Sequence, residues 1–237
     1  MASATHEVQA PQFNIDRTCP GRWTITFNNP PINIFVPETI IELGAVMTDL
    51  EADPSVKVVV YQSANPDFFI AHLDVAKAVE RPDVLGLWRD FVLRLSSAPV
   101  VSIAKIRGRT RGIGNEFVLA CDMRFASRQN AVFGNPEVGV GLIPGGGALE
   151  WLPRLVGRSR ALEFVLRADD FDADIAERYG WVNRTLDDME FATGQSGAVT
   201  AECERNRTNG METKSPVLRR GVMVGRFVRA RDLVCRR

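Results

Sequence analysis

The sequence predicts an α/β fold. Segments with the two-residue period of a strand alternate with segments of helical period along most of the chain. Short β-branched runs such as "VKVVVYQS" suit strands buried on both faces of a sheet, and glycine-spaced turns lead out of strands into apolar helices. With 237 residues, 45% of them hydrophobic, the chain is long enough to fill a sizeable core.

Taken in order, "RWTITFNN" alternates like a half-buried strand after a polar lead-in, and the Asn/Pro cluster "NNPP" ends it. Pro37 opens a helix with Ile40, Ile41, Leu43, Val46, Met47 and Leu50 on one face, ending near Asp53-Pro54. "VKVVVYQS" is the next strand, followed by the loop "ANPDFFIAHLD" and a helix around "VLGLWRDFVLRL". "PVVSIAKI" reads as a strand, and the turn "RGRTRGIGNE" carries the chain into the helix "EFVLAC". Strand-like "MRFAS" and "AVFG" precede the loop "NPEVGVGLIPGGG". Three helical stretches follow, "ALEWLPRLVG", "RSRALEFVLRA" and "DADIAERYG", and then a last short strand, "WVNRTL". After about Asp188 neither apolar period continues, so residues 1–188 read as a core domain and 189–237 as a poorly patterned basic tail.

Lys plus Arg and Asp plus Glu balance at 29 each, which gives no reason to expect nucleic acid or an anionic surface as a partner. The balance is uneven, with ten basic residues and two acids between Arg205 and Arg237, but scattered arginines in an unpatterned segment read as solvated charge. Cys19, Cys121, Cys203 and Cys235 lie far apart with no CxxC pair, against a zinc ribbon or a disulfide framework. No apolar run approaches the length of a membrane span and no signal-peptide pattern opens the chain, so a cytoplasmic location is the expectation.

The glycines suggest nucleotide loops first, and both candidates fail. "RGIGNEFV" has Gly112 and Gly114 without the third glycine of a dinucleotide fingerprint, and "GVGLIPGGG" has Pro144 in that place with no Lys-Ser/Thr after it. A strand-to-helix glycine turn offers something else. The first N–H groups of the helix lack intrahelical partners and carry partial positive charge, which suits a developing oxyanion. Glu116 lies one turn into such a helix, where it could face a ligand or serve only as a first-turn acid favoured by the dipole. Glu137, in "FGNPEVGVG", could join it in general acid–base work on a bound water or be surface decoration, and spacing alone does not bring the two together. The turn from Ala71 to Asp74 could supply a further N–H, and His72 reads as a loop residue rather than a base, with no GxSxG elbow in the chain.

Together these segments resemble the crotonase, or enoyl-CoA hydratase/isomerase, superfamily, from about Trp23 to Val182. The resemblance rests on three ordered blocks: "FIAHLD", "GRTRGIGNEFVLACD" and "FGNPEVGVGLIPGGG". It implies a crotonase-like spiral of repeated ββα units and an oxyanion hole made by the backbone N–H groups of Ala71 and Ile113. Ala71, His72, Leu73 and Asp74 would contact substrate, and Glu116 and Glu137 would be the two catalytic acids. The implied substrate is an acyl-CoA thioester and the implied reaction is addition of water to a 2-enoyl-CoA, with no metal and no cofactor beyond the coenzyme A of the substrate. Isomerase or other acyl-CoA chemistry on the same fold, a crotonase-like RNA-binding protein and a catalytically impaired relative are the alternatives.

The chain departs from the family pattern in places. Ile113 and His72 stand where glycine is usual, and "NNPPINIF" lacks a basic residue often found there. The atypical C-terminal region lacks the helical trimerisation segment with which the family builds homotrimers and hexamers.

Overall fold

The structure is a computed structural model that describes residues 11–193. Its elements follow the predicted alternation. The larger sheet takes β1 (Phe13–Asp16), β2 (Arg22–Phe27), β3 (Val58–Ser63), β5 (Val101–Ile106), β7 (Met123–Ser127) and β10 (Arg184–Leu186), adjacent in that order. The smaller sheet takes β4 (Phe68–Ile70), β6 (Arg109–Arg111), β8 (Val132–Gly134) and β9 (Asp170–Asp172). All ladders are parallel except β1 with β2 and β8 with β9. The pairs β3/β4, β5/β6 and β7/β8 therefore each leave one strand in each sheet before the chain enters helix.

The helices are α1 (Pro37–Ala52), α2 (Val75–Glu80), α3 (Val84–Ser97), α4 (Ile113–Ala120), α5 (Ala148–Val156), α6 (Arg158–Arg167), α7 (Ala173–Tyr179) and α8 (Asp188–Thr193), with a 3₁₀ turn at Pro136–Val140. Predicted boundaries of α1 hold: Pro37 opens it and Asp53 caps it. Its predicted face holds except at Ile41, which is exposed because Ile40 and Leu43 already fill the contact with the core. β3 is buried on both faces as predicted, with Val59 and Tyr61 in the main core and Val58 and Val60 in a second cluster with Ile103 and Phe125.

Phe117 of α4 stands at the centre of the main core. Its ring contacts those of Phe27, Phe35, Tyr61, Phe69 and Phe91, with Tyr61 at 4.9 Å edge-on and Phe91 at 6.0 Å stacked. This packing holds the helix that bears Glu116 against β2, β3, β4 and α3.

The structure adds elements to the predicted set. β1 lies in the polar lead-in, and β4 and α2 lie in and after the predicted loop. β6 occupies the glycine turn and β9 follows α6. Each is short, three to six residues, too few to express a period. α8 occupies the start of the segment predicted to lack pattern, with Phe191 buried and Lys105 above its ring at 5.0 Å. The rest of the predicted basic tail, including Cys203 and Cys235, lies outside the described residues. Among the described residues no helix is long and apolar enough to cross a membrane.

Candidate active site

The second glycine of the α4 turn brings two distant loops together. A Cβ on Gly114 would lie 2.6 Å from Ile70 O and 2.7 Å from Ile70 Cβ, so glycine alone lets the first turn of α4 seat against the end of β4. Ile113 and Ala71, each one residue from this contact, are thereby neighbours in space. The N–H of Ile113 opens α4 and has no acceptor within the helix, and its side chain is buried. The N–H of Ala71 points at Asn33 O across 3.4 Å, longer than a well-formed amide bond.

Glu116 is buried on the next turn. Its Oε1 accepts the N–H of Gly146 at 2.7 Å and that of Ala148 at 3.2 Å. The stabilising N–H groups come from the start of α5, not from α4 itself. Gly146 is wedged in place: its carbonyl accepts Trp88 Nε1–H at 2.8 Å, and a Cβ there would strike the Glu116 carboxylate and Trp88 Nε1. Burial raises the Glu116 carboxyl to about 7, the charge of Glu137 adds to the rise, and the N–H groups of residues 146–148 oppose it.

Glu137 sits in the 3₁₀ turn, half-buried, with its carboxylate against Gly112 at the N-terminal end of α4. Its Oε1 lies 3.0 Å from where a Gly112 Cβ would be, so Gly112, at φ +52°, keeps the space before α4 open for the carboxylate. Burial raises its carboxyl as well, against its own backbone N–H and the Asn135 amide, which hold the ionised form. The two acids, twenty-one positions apart in sequence, thus meet at the N-terminal end of α4 and raise the cost of a second negative charge there.

The other predicted contacts are placed differently. His72 is exposed, its Nδ1 2.9 Å from Leu73 O, and its carbonyl accepts the Phe35 N–H. Leu73 packs against the core beside Phe35. Asp74 caps α2, its carboxylate accepting the Lys77 N–H at 3.1 Å. Of the four residues 71–74, Ala71 is the one drawn to the acids' helix.

Three asparagines outside the predicted set complete the site. Asn33, buried at φ +52°, donates from Nδ2 to Ser63 Oγ, Phe68 O and Phe69 O, pinning the strand that delivers Ala71. Asn115 and Asn135, both fully buried, link to each other, and Asn135 bonds Glu137. The available signal was a short amide flanking each predicted acid: Asn115 beside Glu116, Asn135 two residues before Glu137. Among the described residues no cluster of three or more His, Cys, Asp or Glu could hold a metal ion.

The chain matches the sequence model of the family described as enoyl-CoA hydratase/isomerase over residues 21–204. It is 34% identical over 172 residues to the short-chain-enoyl-CoA hydratase of Clostridium acetobutylicum, covering 70% of this chain and 66% of that one. To the crotonyl-CoA hydratase of Syntrophomonas wolfei it is 32% identical over 164 residues, covering 67% and 63%. The match therefore spans slightly less than two thirds of each curated relative. Among solved structures, a Streptomyces avermitilis protein described as an enoyl-CoA hydratase is 40% identical, with a TM-score of 0.75 over 88% of this chain and 81% of its own. DspI of Pseudomonas aeruginosa is 28% identical with a TM-score of 0.78, covering 91% and 80%.

Proposed function

Because the chain belongs to the enoyl-CoA hydratase/isomerase family, we propose that it adds water across the double bond of a 2-enoyl-CoA thioester. The observation that carries this reading is the meeting of Glu116 and Glu137 at the start of α4. A lone acid suits proton shuttling in an isomerase, whereas two acids with raised proton affinity can share one proton and manage a water between them.

In this reading the thioester carbonyl accepts the N–H groups of Ile113 and Ala71. The Ala71 bond to Asn33 O is long enough to yield to a better acceptor. The water oxygen forms its bond to C3 as one carboxylate takes a water proton. The C2–C3 π electrons move onto the thioester, and the resulting enolate is protonated at C2 by the other carboxyl group. Water is consumed whole, and the pair ends with the one proton it began with. Ile113 adds a buried branched side chain beside the carbonyl site, which favours a slender acyl chain.

The same reading takes coenzyme A as part of the substrate with no further cofactor, and the alternating strands as turns of a ββα spiral. It takes residues 1–188 as the crotonase core and 189–237 as the atypical tail. A cytoplasmic setting completes it, with the family's homotrimer or hexamer set against a tail without the usual trimerisation segment, and size-exclusion chromatography with light scattering as the check on assembly.

The test is loss of the conjugated thioester absorbance of crotonyl-CoA. Glu116→Gln and Glu137→Gln are each expected to lower the rate by about 10²–10⁴-fold. Dependence on Glu137 alone would favour isomerase chemistry, and hydration undiminished in both variants would overturn the proposal.

A further inference from the structure

Asn115 and Asn135 lie twenty positions apart, one in the first turn of α4 and the other just before the 3₁₀ turn, and both are sealed from solvent. Asn115 Nδ2 donates to Asn135 Oδ1 at 2.6 Å, and Asn135 Nδ2 donates to both oxygens of Glu137 at 3.2 and 3.3 Å. The chain of amides has one direction, every donor facing the carboxylate. At its far end Asn115 Oδ1 is buried with no hydrogen-bond partner among the described residues.

An amide presents a donor on one atom and an acceptor on the other, and a half-turn about its last torsion exchanges them. Were Asn115 Oδ1 held by a donor, that half-turn would break a second bond. Its lack of a partner leaves the Asn115 amide free to reverse.

We propose that Asn115 and Asn135 form a reversible amide relay that holds Glu137 in place in both of its protonation states. With Glu137 ionised, the chain runs as observed. When Glu137 carries a proton, its O–H donates to Asn135 Oδ1 and Asn135 Nδ2 donates to Asn115 Oδ1. Both links of the chain persist, and no proton passes between residues. A carboxyl that gains and loses a proton in each turnover keeps an accepting oxygen for a fixed donor in both states, but its O–H then needs an acceptor, which only a reversed amide supplies. The relay deepens the reading of Glu137 as a proton-carrying acid and rests on it. Asn115 and Asn135 are positioning residues, since they reach the reaction only through that carboxylate.

The charged groups around Glu137 are few. Glu116 on α4 is near enough for the charge of Glu137 to raise its carboxyl. Arg111 of β6 and Asp170 of β9 pair with each other on the adjoining strands. On α6, packed against the 3₁₀ turn, stand Arg158, Arg160, Glu163 and Arg167, the last two paired.

The experiment is an NMR titration of the full chain. The side-chain amide resonances of Asn115 and Asn135 are followed with the Glu137 carboxyl carbon, assigned by Glu137→Gln and Glu116→Gln. Both amides are expected to shift with the midpoint of Glu137, and both shifts are expected to vanish in Glu137→Gln. Amides that ignore the Glu137 midpoint would overturn the relay. In parallel, Asn115→Leu removes both polar atoms at similar size. It is expected to lower kcat for crotonyl-CoA about tenfold with little change in KM, because a displaced acid loses its near-attack geometry. Asn115→Asp, an acceptor when ionised, is expected to hold the reversed chain and move the Glu137 midpoint upward by about one unit or more. Unchanged kcat and pH profile in folded Asn115→Leu would also sink the proposal. Joint titration in a chain that does not hydrate crotonyl-CoA would leave the relay standing and overturn the reaction instead.

Discussion

Glu116 accepts the backbone N–H of Gly146 at 2.7 Å, and Gly146 in turn gives its carbonyl to Trp88 Nε1–H at 2.8 Å. One glycine thus ties the buried acid of α4 to α3 and to the entry of α5. A methyl group there would strike the acid and the indole together, neither of which is a loose surface chain. Gly146→Ala is expected to lower hydration by about 10²-fold, as a displacement of the acid by about 1 Å would. Wild-type kcat in a folded Gly146→Ala would show that the carboxylate does not need this anchor.

The raised Glu116 carboxyl makes stability depend on pH. Its proton is held more tightly in the fold, to about 7 against an ordinary 4.5, so the folded chain binds more protons than the unfolded chain between those values. This contribution is complete below pH 4.5 and is lost as pH rises through 7. At about 1.4 kcal/mol per unit of pKa it amounts to about 3 kcal/mol. The non-titrating Glu116→Gln is expected to gain on the wild type by about that amount between pH 4 and pH 8, read from urea midpoints at each pH. Parallel curves would show that the fold does not favour the protonated acid.

Asn33 is expected to matter through its bonds rather than its backbone. Its side chain serves Ser63 Oγ, Phe68 O and Phe69 O and accepts the Asn29 N–H at 2.8 Å. Asn33→Ala is expected to cost about 2–4 kcal/mol, since Phe69 O and the Asn29 N–H lose this partner and Phe68 O keeps only the Ser63 hydroxyl. Asn33→Gly, which tolerates φ +52° but bonds nothing, should be about as unstable. Recovery of stability in the glycine variant would assign the role to the left-handed backbone.

Arg124 is a buried guanidinium that serves carbonyls. It donates to Cys121 O at 2.6 Å and Val118 O at 3.2 Å at the end of α4, and to Trp181 O at 2.7 Å before β10. Arg124→Met should fill similar space and take this donor from Cys121 O and Trp181 O, while Val118 O keeps the Cys121 N–H, at a cost of about 3 kcal/mol by chemical denaturation. A neutral effect would mean that burying the charge already offsets what its bonds contribute.

Legibility differed among the elements for physical reasons. β3 and α1 announced themselves because six and sixteen residues are long enough to display a period against a buried face. β4, β6 and β9, which went unpredicted, have three residues each. Their state is set by the ladder beside them, as where Phe68 meets Arg109 and Arg109 meets Val132. The two acids were legible as residue types in glycine-framed segments. Their company was not: the N–H groups on Glu116 come from about thirty residues further on, and Asn115 finds Asn135 across twenty.

What the sequence by itself determined was the succession of long helices and central strands, and the presence of an acid behind each of two glycine turns. Periodicity and backbone freedom are local properties, written in neighbouring residues. Only the tertiary structure decided that Gly114 would seat on Ile70 and bring Ala71 to Ile113, that Gly112 would leave room for Glu137, and that the start of α5 would receive the charge of Glu116. Those outcomes depend on close packing between segments far apart in the chain, where a missing Cβ or a single buried amide determines which groups meet.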